Sequence, residues 1–220
     1  MKIQWTTYDS PEEIGLSSSA LRRLNVKAAE VNLCFGQWSK KMRIRVRDDL
    51  DADTIAVPPA FAQEYTFPAE LFYETRVQGM DLRLGPVIAV VVRGAALTPR
   101  RMRRWAVYKS GYGRVGGLLY FCTADGILAE SNAVRGVAYI PHAARRWMPG
   151  TFPLPDAMYR IARMKKTQLQ QLQAALQGKL FNSRRFTKWE MWQTLAQAGY
   201  KALPHTERLT GVPGLADMRQ

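Results

Sequence analysis

The feature that most constrains the fold of this chain is a repeat within its first 84 residues. Three successive segments match three later segments in the same order, with a period of roughly 40 residues. The matched pairs are residues 14–21 with 55–62, 31–35 with 71–75, and 42–46 with 80–84. Each repeat begins with a short apolar alternation and an amphipathic turn, and two further alternating runs follow. Because alternation with a period of two is typical of half-buried strands, each repeat predicts strand, short helix, strand and strand.

Two such repeats predict a small, pseudo-symmetric, β-barrel-like domain over residues 1–83, in which each repeat covers the open strand edges of the other. The alternative is a chance similarity between two ordinary β-rich stretches. Four aspartates lie within residues 48–53, between the repeats. This segment lacks the spacing and the closing glutamate of a calcium-binding loop, so we interpret it as a solvated linker.

The hydrophobic pattern changes after Gly85-Pro86, and residues 84–220 are predicted to form a second, α/β domain. Residues 87–92 are uniformly apolar without alternation, which is typical of a strand buried on both faces of a parallel sheet. Further strands are predicted at 118–122 and 137–140, with a turn at Asp125-Gly126 between them. The fold class predicted for the whole chain is therefore mixed α/β.

Three helices are predicted in this second domain. Thr98 as the N-cap and Pro99 at the first helical position predict a helix over residues 99–109. A second helix is expected over residues 157–177, with Leu169, Leu172 and Leu176 on one face. The third begins after Thr187, which forms a capping box with Glu190. Its predicted hydrophobic staple is Phe186 with Met191, and its predicted buried stripe is Trp189, Trp192 and Ala196.

Charge is distributed very unequally along the chain. The protein has 32 basic and 18 acidic side chains, a formal net charge of +14. Residues 1–92 hold 11 basic and 12 acidic side chains, whereas residues 93–220 hold 21 basic and 6 acidic ones. This asymmetry indicates that the second half faces an anionic partner. Nucleic acid, nucleotide phosphates and an acidic protein all fit, and charge alone does not choose among them.

Two basic groups are candidates for contact with that partner. Four arginines fall in the first turns of the helix predicted at 99–109, where the helix dipole disfavours cations unless an anion is bound. These candidate anion-binding residues are Arg100, Arg101, Arg103 and Arg104. A solvated basic face is the alternative interpretation. The second group is spread over several elements and comprises Arg145, Arg146, Arg160, Arg163, Lys165, Lys166, Lys179, Arg184, Arg185 and Lys188.

Sequence motifs argue against several classes of chemistry. The six acidic residues of the second half are widely separated, which disfavours catalytic carboxylate pairs. Two cysteines and two histidines in no metal-binding spacing predict neither a disulfide framework nor a metal site. Residues 111–116 match the dinucleotide pattern G-x-G-x-x-G, but they follow an expected helix and precede an expected strand, the reverse of the required context. We therefore predict no catalytic residue and no metal site.

Hydropathy gives an expectation for where the protein is located. The longest apolar run, residues 87–92, is far shorter than the roughly 18 residues of a membrane span. Residues 1–8 do not contain the apolar stretch of a signal peptide. These features predict a cytoplasmic protein.

The order of several segments resembles the YheC/YheD family of bacilli, which is described as endospore coat-associated and belongs to the ATP-grasp superfamily. The similar segments are residues 84–90, 116–121, Trp147 with 152–159, 180–182, Phe186 with 188–190, and 203–206. Two positions depart from the family pattern. Arg160 follows Tyr159 directly, where the family has an Asn-Arg pair, and His205 stands where the family has glutamate.

The resemblance implies an N-terminal β domain followed by a pre-ATP-grasp-like domain, with Arg160 and Arg163 on the substrate side. In the family, the core that holds ATP and magnesium begins after the segment corresponding to 203–206, and the present sequence extends to Gln220. We therefore expect no cofactor in this chain, with ATP and magnesium bound only if such a core follows, and whether the protein is an enzyme stays open. The expected location is cytoplasmic or spore-associated. The alternative function is a basic binding module for nucleic acid or another anionic polymer.

Overall fold

The computed structural model describes residues 1–6, 10–105, 116–141, 143, 146–184 and 186–206. The chain forms two compact units, Met1–Ser183 and Arg184–Gln220. The first unit contains two mixed β-sheets, four α-helices and a short 3-10 helix (Ala129–Ser131) among its described residues, and the described part of the second contains one α-helix. The predicted mixed α/β class is therefore confirmed.

The first sheet is a curled half-barrel of seven strands in the order β1-β5-β2-β4-β3-β7-β6. Its strands are β1 (Lys2–Trp5), β2 (Glu13–Leu16), β3 (Glu30–Phe35), β4 (Trp38–Val46), β5 (Thr54–Val57), β6 (Glu74–Gln78) and β7 (Asp81–Gly85), and its helices are α1 (Ser18–Leu24) and α2 (Phe61–Glu64). The strands at the two ends of this order approach each other where they begin. Met1 precedes β1 and Tyr73 precedes β6, and the Tyr73 amide donates to the Met1 carbonyl at 2.8 Å.

The repeat is present in the order of elements but not in all of the strand pairing. Each repeat runs strand, helix, strand, strand, and its last two strands form a hairpin. Gly36 and Gly79 occupy the hairpin turns with φ of 60° and 61°, a conformation that favours glycine. The opening strands differ: β2 pairs with β4 of its own repeat, whereas β5 pairs with β1 and β2. If the repeats were symmetric, β5 would pair with β7 as β2 pairs with β4. Instead β3 pairs with β7, and the symmetry is broken.

The second sheet has six strands in the order β11-β10-β9-β8-β12-β13. Its elements are β8 (Val87–Val91), α3 (Pro99–Arg104), β9 (Leu118–Leu128), β10 (Ala133–Tyr139), β11 (Trp147–Pro153), β12 (Ala157–Arg160), α4 (Lys166–Leu176) and β13 (Leu180–Phe181). β8 lies between β9 and β12 and is parallel to both. Val87, Ala89, Val90 and Val91 are buried, which confirms the predicted parallel strand. The pairs β9–β10 and β10–β11 are antiparallel, and β13 is parallel to β12.

Two local predictions in this sheet were wrong. Asp125-Gly126 lies inside β9, which continues to Leu128, and not between two strands. Cys122 pairs with Gly136 and Ile127 with Val134, so residues 123–126 of β9 form a bulge opposite Arg135. Residues 157–160 are a strand rather than the start of a helix, because each of them pairs with a residue of β8 between Ile88 and Val91. The helix begins only at Lys166, with Leu172 and Leu176 buried on the predicted face.

The remaining helix of the described chain is α5 (Lys188–Gln197), in the second unit. Its predicted capping box is confirmed: Thr187 Oγ1 accepts from the Glu190 amide at 3.1 Å, and Glu190 Oε2 accepts from the Thr187 amide at 2.7 Å. The predicted buried stripe was wrong, since none of the side chains of α5 is buried. Trp189 and Trp192 stack on each other instead, with ring centroids 5.2 Å apart.

The two faces of the second sheet bury different side chains. One face, with Val87, Ala89 and Tyr120, joins the main hydrophobic core that also contains the interior of the half-barrel. The other face buries a smaller cluster of Val90, Val92, Met102 and Phe121, in which Met102 comes from α3. The small cluster lies over β8 and β9, so α3 covers only part of this face.

Candidate anion-binding surface

Six of the eleven basic side chains in residues 1–92, the region of the half-barrel, form ion pairs with neighbouring carboxylates. Lys41 pairs with Glu30 at 2.6 Å, and Arg76 pairs with Glu74 at 2.7 Å. The other ion pairs of this sheet are Arg43 with Glu12, Arg45 with Glu13, Arg47 with Asp49, and Arg83 with Asp81. Exposed pairs of this kind contribute little to stability, but they cancel the local field.

The basic side chains of the second sheet and its helices have a different environment. The carboxylates described between residues 93 and 183 are Asp125, Glu130 and Asp156. Ten exposed cations in this range form no ion pair with any described residue. We call them the unpaired cations: Arg93, Arg100, Arg101, Arg103, Arg135, Arg146, Arg163, Lys165, Lys166 and Lys179. Their positive charge is left uncompensated by the described part of the chain.

Three of these cations follow the carboxyl ends of the central parallel strands. β8 and β12 end side by side, and the Ile161 amide donates to the Val91 carbonyl at 2.9 Å. Arg93 follows β8 closely, and its Nε lies 3.5 Å from the Ile161 carbonyl oxygen just beyond β12. Arg163 and Lys165 follow β12. In open α/β sheets, ligands bind outside the carboxyl ends of the strands, where loops diverge and leave a crevice. We call this side of the sheet the carboxyl edge.

A cleft of about 530 Å³ opens at the carboxyl edge. It lies between the middle of β9 and the beginning of α4, which are joined by a 2.7 Å hydrogen bond from Gln168 Nε2 to the Ala124 carbonyl. Its lining residues are Ala124, Asp125, Arg163, Met164, Lys165, Gln168 and Gln171. With two cations against one carboxylate, the cleft favours an anionic ligand.

A second cleft, of about 610 Å³, lies at the opposite end of β8. Arg76 and Arg83 line it, but both are paired with carboxylates, so that Lys179 and Asp156 supply the remaining charges, which are of opposite sign. Asp156 accepts the Val87 amide at Oδ2, at 2.8 Å. Burial raises the pKa of the Cys34 thiol to about 11, which keeps this lining residue in its unreactive protonated form. This cleft therefore offers less to an anion than the carboxyl edge does.

The structure separates the two predicted substrate-side arginines. Arg163 is exposed and lines the carboxyl-edge cleft. Arg160 is only 5% exposed, and its guanidinium donates to the carbonyl oxygens of Ala162, Asn182 and Ser183 at 3.2, 3.0 and 3.0 Å. Arg160 therefore holds the main chain after β13 in place, which is a structural role. A substrate role for Arg163 stays a prediction.

The four arginines predicted as an anion site lie on α3, which has six residues. Thr98 caps it as predicted, accepting from the Arg101 amide at 3.4 Å. Arg101 Nη1 donates to the Ala96 carbonyl at 3.2 Å, so that this guanidinium bends back onto the preceding loop. Arg100 and Arg103 are exposed. The structure describes no shared contact that brings them to one point, and an anion site here stays a prediction.

Other predictions fall on residues outside those that the structure describes. They are the continuation of the α3 helix to residue 109, residues 111–115 of the glycine motif at 111–116, Arg145 and Arg185. Arg93 was in neither of the two predicted basic groups, whereas Lys165 was in the second. One sequence signal could have pointed to Arg93: it comes directly after the apolar run predicted as a buried strand.

Comparison with protein-family models, curated proteins and solved structures found no match. Within the described ranges, no three side chains of the His, Cys, Asp and Glu types are grouped closely enough to hold a metal ion. None of the described helices is long and apolar enough to cross a membrane.

Proposed function

We propose that this protein is a binding module for an anionic polymer. The observation that carries the proposal is the contrast between the two sheets. Residues 1–92 balance 11 basic with 12 acidic side chains, and six of these cations form ion pairs. The ten unpaired cations of the second sheet and its helices are exposed, and the carboxylates described in the same range, 93–183, number three. A concentration of one charge sign raises the local concentration of opposite charges and accelerates their binding.

A polymer fits this surface better than a small anion does. The unpaired cations are spread over α3, β10, α4 and the connecting loops, and are not gathered around one pocket. A chain of phosphate, sulfate or carboxylate groups can contact many such cations at once, releasing its condensed counterions. We propose the cytoplasm as the location, or the spore if the resemblance to the YheC/YheD family reflects kinship.

The proposal is tested by measuring binding of a labelled oligonucleotide and of heparin as a function of salt. The test variant is Arg93→Gln/Arg163→Gln/Lys165→Gln at the carboxyl edge. The matched control is Lys41→Gln/Arg43→Gln/Arg45→Gln on β4, which removes the same charge from cations that are already paired. We expect the test variant alone to lower the slope of log K against log salt, by about 2 for a single strand.

An equal loss of affinity in the two variants would show that binding depends on the net charge of the protein and not on the cations at the carboxyl edge. Absence of binding to either polymer at low salt would overturn the proposal.

A second candidate is the scaffold portion of an ATP-grasp ligase-like protein. One observation favours it: three of the segments that carry the resemblance meet on β8. The Leu118 amide donates to the Pro86 carbonyl at 2.8 Å, and Asp156 accepts from the Val87 amide. Under this proposal the chain supplies scaffold and not catalysis, and ATP with magnesium requires a further core. Calorimetry with ATP and magnesium should then detect no binding, and a micromolar affinity would contradict it.

A further inference from the structure

Two exposed aromatic rings lie side by side on the second sheet. Tyr159 in β12 and Phe181 in β13 are partners in the parallel register of these strands. Residues in register on neighbouring strands point to the same face. Their side chains are 43% and 57% exposed, and neither ring packs against another aromatic ring among the described residues. The sheet thus presents two adjacent aromatic surfaces.

The two rings belong to a row of side chains that crosses the sheet from strand to strand, and α3 covers the other part of this row. Tyr159 is in register with Val90 of β8, which in turn is in register with Phe121 of β9. Val90 and Phe121 are buried beneath Met102, in the smaller hydrophobic cluster. Parallel strands are normally covered on both faces, so two open rings in the same row are unusual.

The backbone beneath the rings is held by a reciprocal interaction. Arg160 follows Tyr159, and Asn182 follows Phe181. The Arg160 Nε donates to the Asn182 carbonyl at 3.0 Å, and Asn182 Nδ2 donates to the Arg160 carbonyl at 2.7 Å. Because each ring is attached to a strand fixed in this way, the spacing of the two aromatic surfaces is set before any ligand binds. Such preorganisation lowers the entropic cost of binding.

Unpaired cations lie at both ends of the aromatic pair. At one end, the Lys179 carbonyl accepts the Met158 amide at 3.0 Å, which places Lys179 beside the start of β12. At the other end, Arg93 approaches the Ile161 carbonyl and Arg163 lines the carboxyl-edge cleft. The order along the strands is therefore cation, aromatic pair and cation.

We infer that this face binds single-stranded nucleic acid, with bases stacked on Tyr159 and Phe181 and phosphates near Lys179, Arg93 and Arg163. Aromatic rings on a sheet, flanked by basic side chains, recognise unpaired bases because every base has a π face. A duplex hides these faces within its own stack. The inference rests on the proposed binding of anionic polymers and names the polymer and the site.

The test compares three labelled ligands of equal length, about 20 nucleotides, at one salt concentration: oligothymidine, its abasic analogue and a duplex. We expect wild type to bind oligothymidine at least tenfold more tightly than the abasic strand, which retains the phosphates but lacks the bases. Tyr159→Ala/Phe181→Ala should lose about tenfold in affinity for oligothymidine per ring, with an unchanged salt slope. Its affinity for the abasic strand should not change.

Two controls accompany this variant. Tyr159→Phe/Phe181→Tyr keeps both rings and should retain wild-type affinity. Phe72→Ala removes a ring that is 50% exposed but precedes β6 in the half-barrel, and should also have no effect. Because all three altered side chains are exposed, each variant should melt within a few degrees of wild type.

The outcomes separate this inference from the proposed function. Equal affinities for oligothymidine and the abasic strand, with no effect of the aromatic variant, would overturn base stacking and leave polyanion binding intact. If none of the three ligands bound and heparin did not bind either, this inference and the proposed function would both be overturned.

Discussion

Arg160 and Asn182 bond to each other in both directions, the guanidinium to one main-chain carbonyl and the amide side chain to the other. Arg160 also donates to Ala162 and Ser183, so one buried cation ties the end of β12 to the chain after β13. β13 has only two residues and is the edge strand of its sheet. Its position therefore depends on the Arg160 guanidinium as well as on strand pairing.

Replacing Arg160 with methionine should lower the free energy of unfolding by about 3 kcal/mol, because three carbonyl oxygens lose their donor in a buried environment. The measurement is urea denaturation followed by circular dichroism. Arg163→Met is the matched control, since Arg163 is exposed, and it should change stability by less than about 0.5 kcal/mol. Similar effects of the two substitutions would contradict the structural role of Arg160.

The Cys122 thiol should make stability depend on alkaline pH. Burial raises its pKa from 9.0 to about 12, because the thiolate is poorly solvated in the core. In the unfolded chain the thiol loses its proton near pH 9, while the folded protein retains it. The unfolded state then binds fewer protons, so stability should fall as pH rises from about 9 towards 12.

Urea denaturation at pH 8 and pH 10 measures this loss. Cys122→Ala should be less stable at pH 8 but should show a smaller further decrease between the two values. An identical decrease in wild type and variant would show that other groups cause it. Iodoacetamide at pH 8 should also leave Cys122 unmodified until the protein is denatured, since only the thiolate reacts.

Removing the Asp156 carboxylate should weaken the hydrogen bonding between the start of β8 and the residue that precedes β12. Asp156 Oδ2 accepts the Val87 amide, and the Asp156 amide donates to the Val87 carbonyl at 2.8 Å. Asp156→Ala should cost about 1–2 kcal/mol, because the Val87 amide loses its acceptor. Asp156→Asn keeps an oxygen acceptor and should recover most of the loss. If asparagine were as harmful as alanine, the hydrogen bond would not explain the effect.

Thr187→Ala should shorten or fray α5 in the second unit. Thr187 forms the capping box with Glu190, and losing such a cap costs about 1 kcal/mol. The expected result is a loss of helical signal in circular dichroism, largest at elevated temperature. Thr187→Ser keeps the hydroxyl and should behave like wild type. An unaltered helical signal in Thr187→Ala would contradict the prediction.

Local signals were sufficient for several elements of the fold. The apolar run after Pro86, the Thr98 cap, the Thr187–Glu190 box and the element order of the two repeats could all be predicted from the sequence. In each case the deciding interactions lie within a few residues of each other, so that neighbouring side chains determine the backbone conformation. Charge asymmetry likewise predicted which half of the chain carries the unpaired cations.

Contacts between residues distant in sequence decided the rest. Residues 157–160 carry no strong strand signal and become β12 only because β8 offers a partner for each of them. Nothing in the sequence distinguishes Arg160 from a surface cation, yet β13 and its following loop bury it. The row from Phe121 through Val90 and Tyr159 to Phe181 joins residues whose direct partners are up to 69 positions apart in the sequence. The sequence by itself determined local conformation and charge, whereas long-range strand pairing decided which side chains meet, because pairing partners are chosen by the whole sheet.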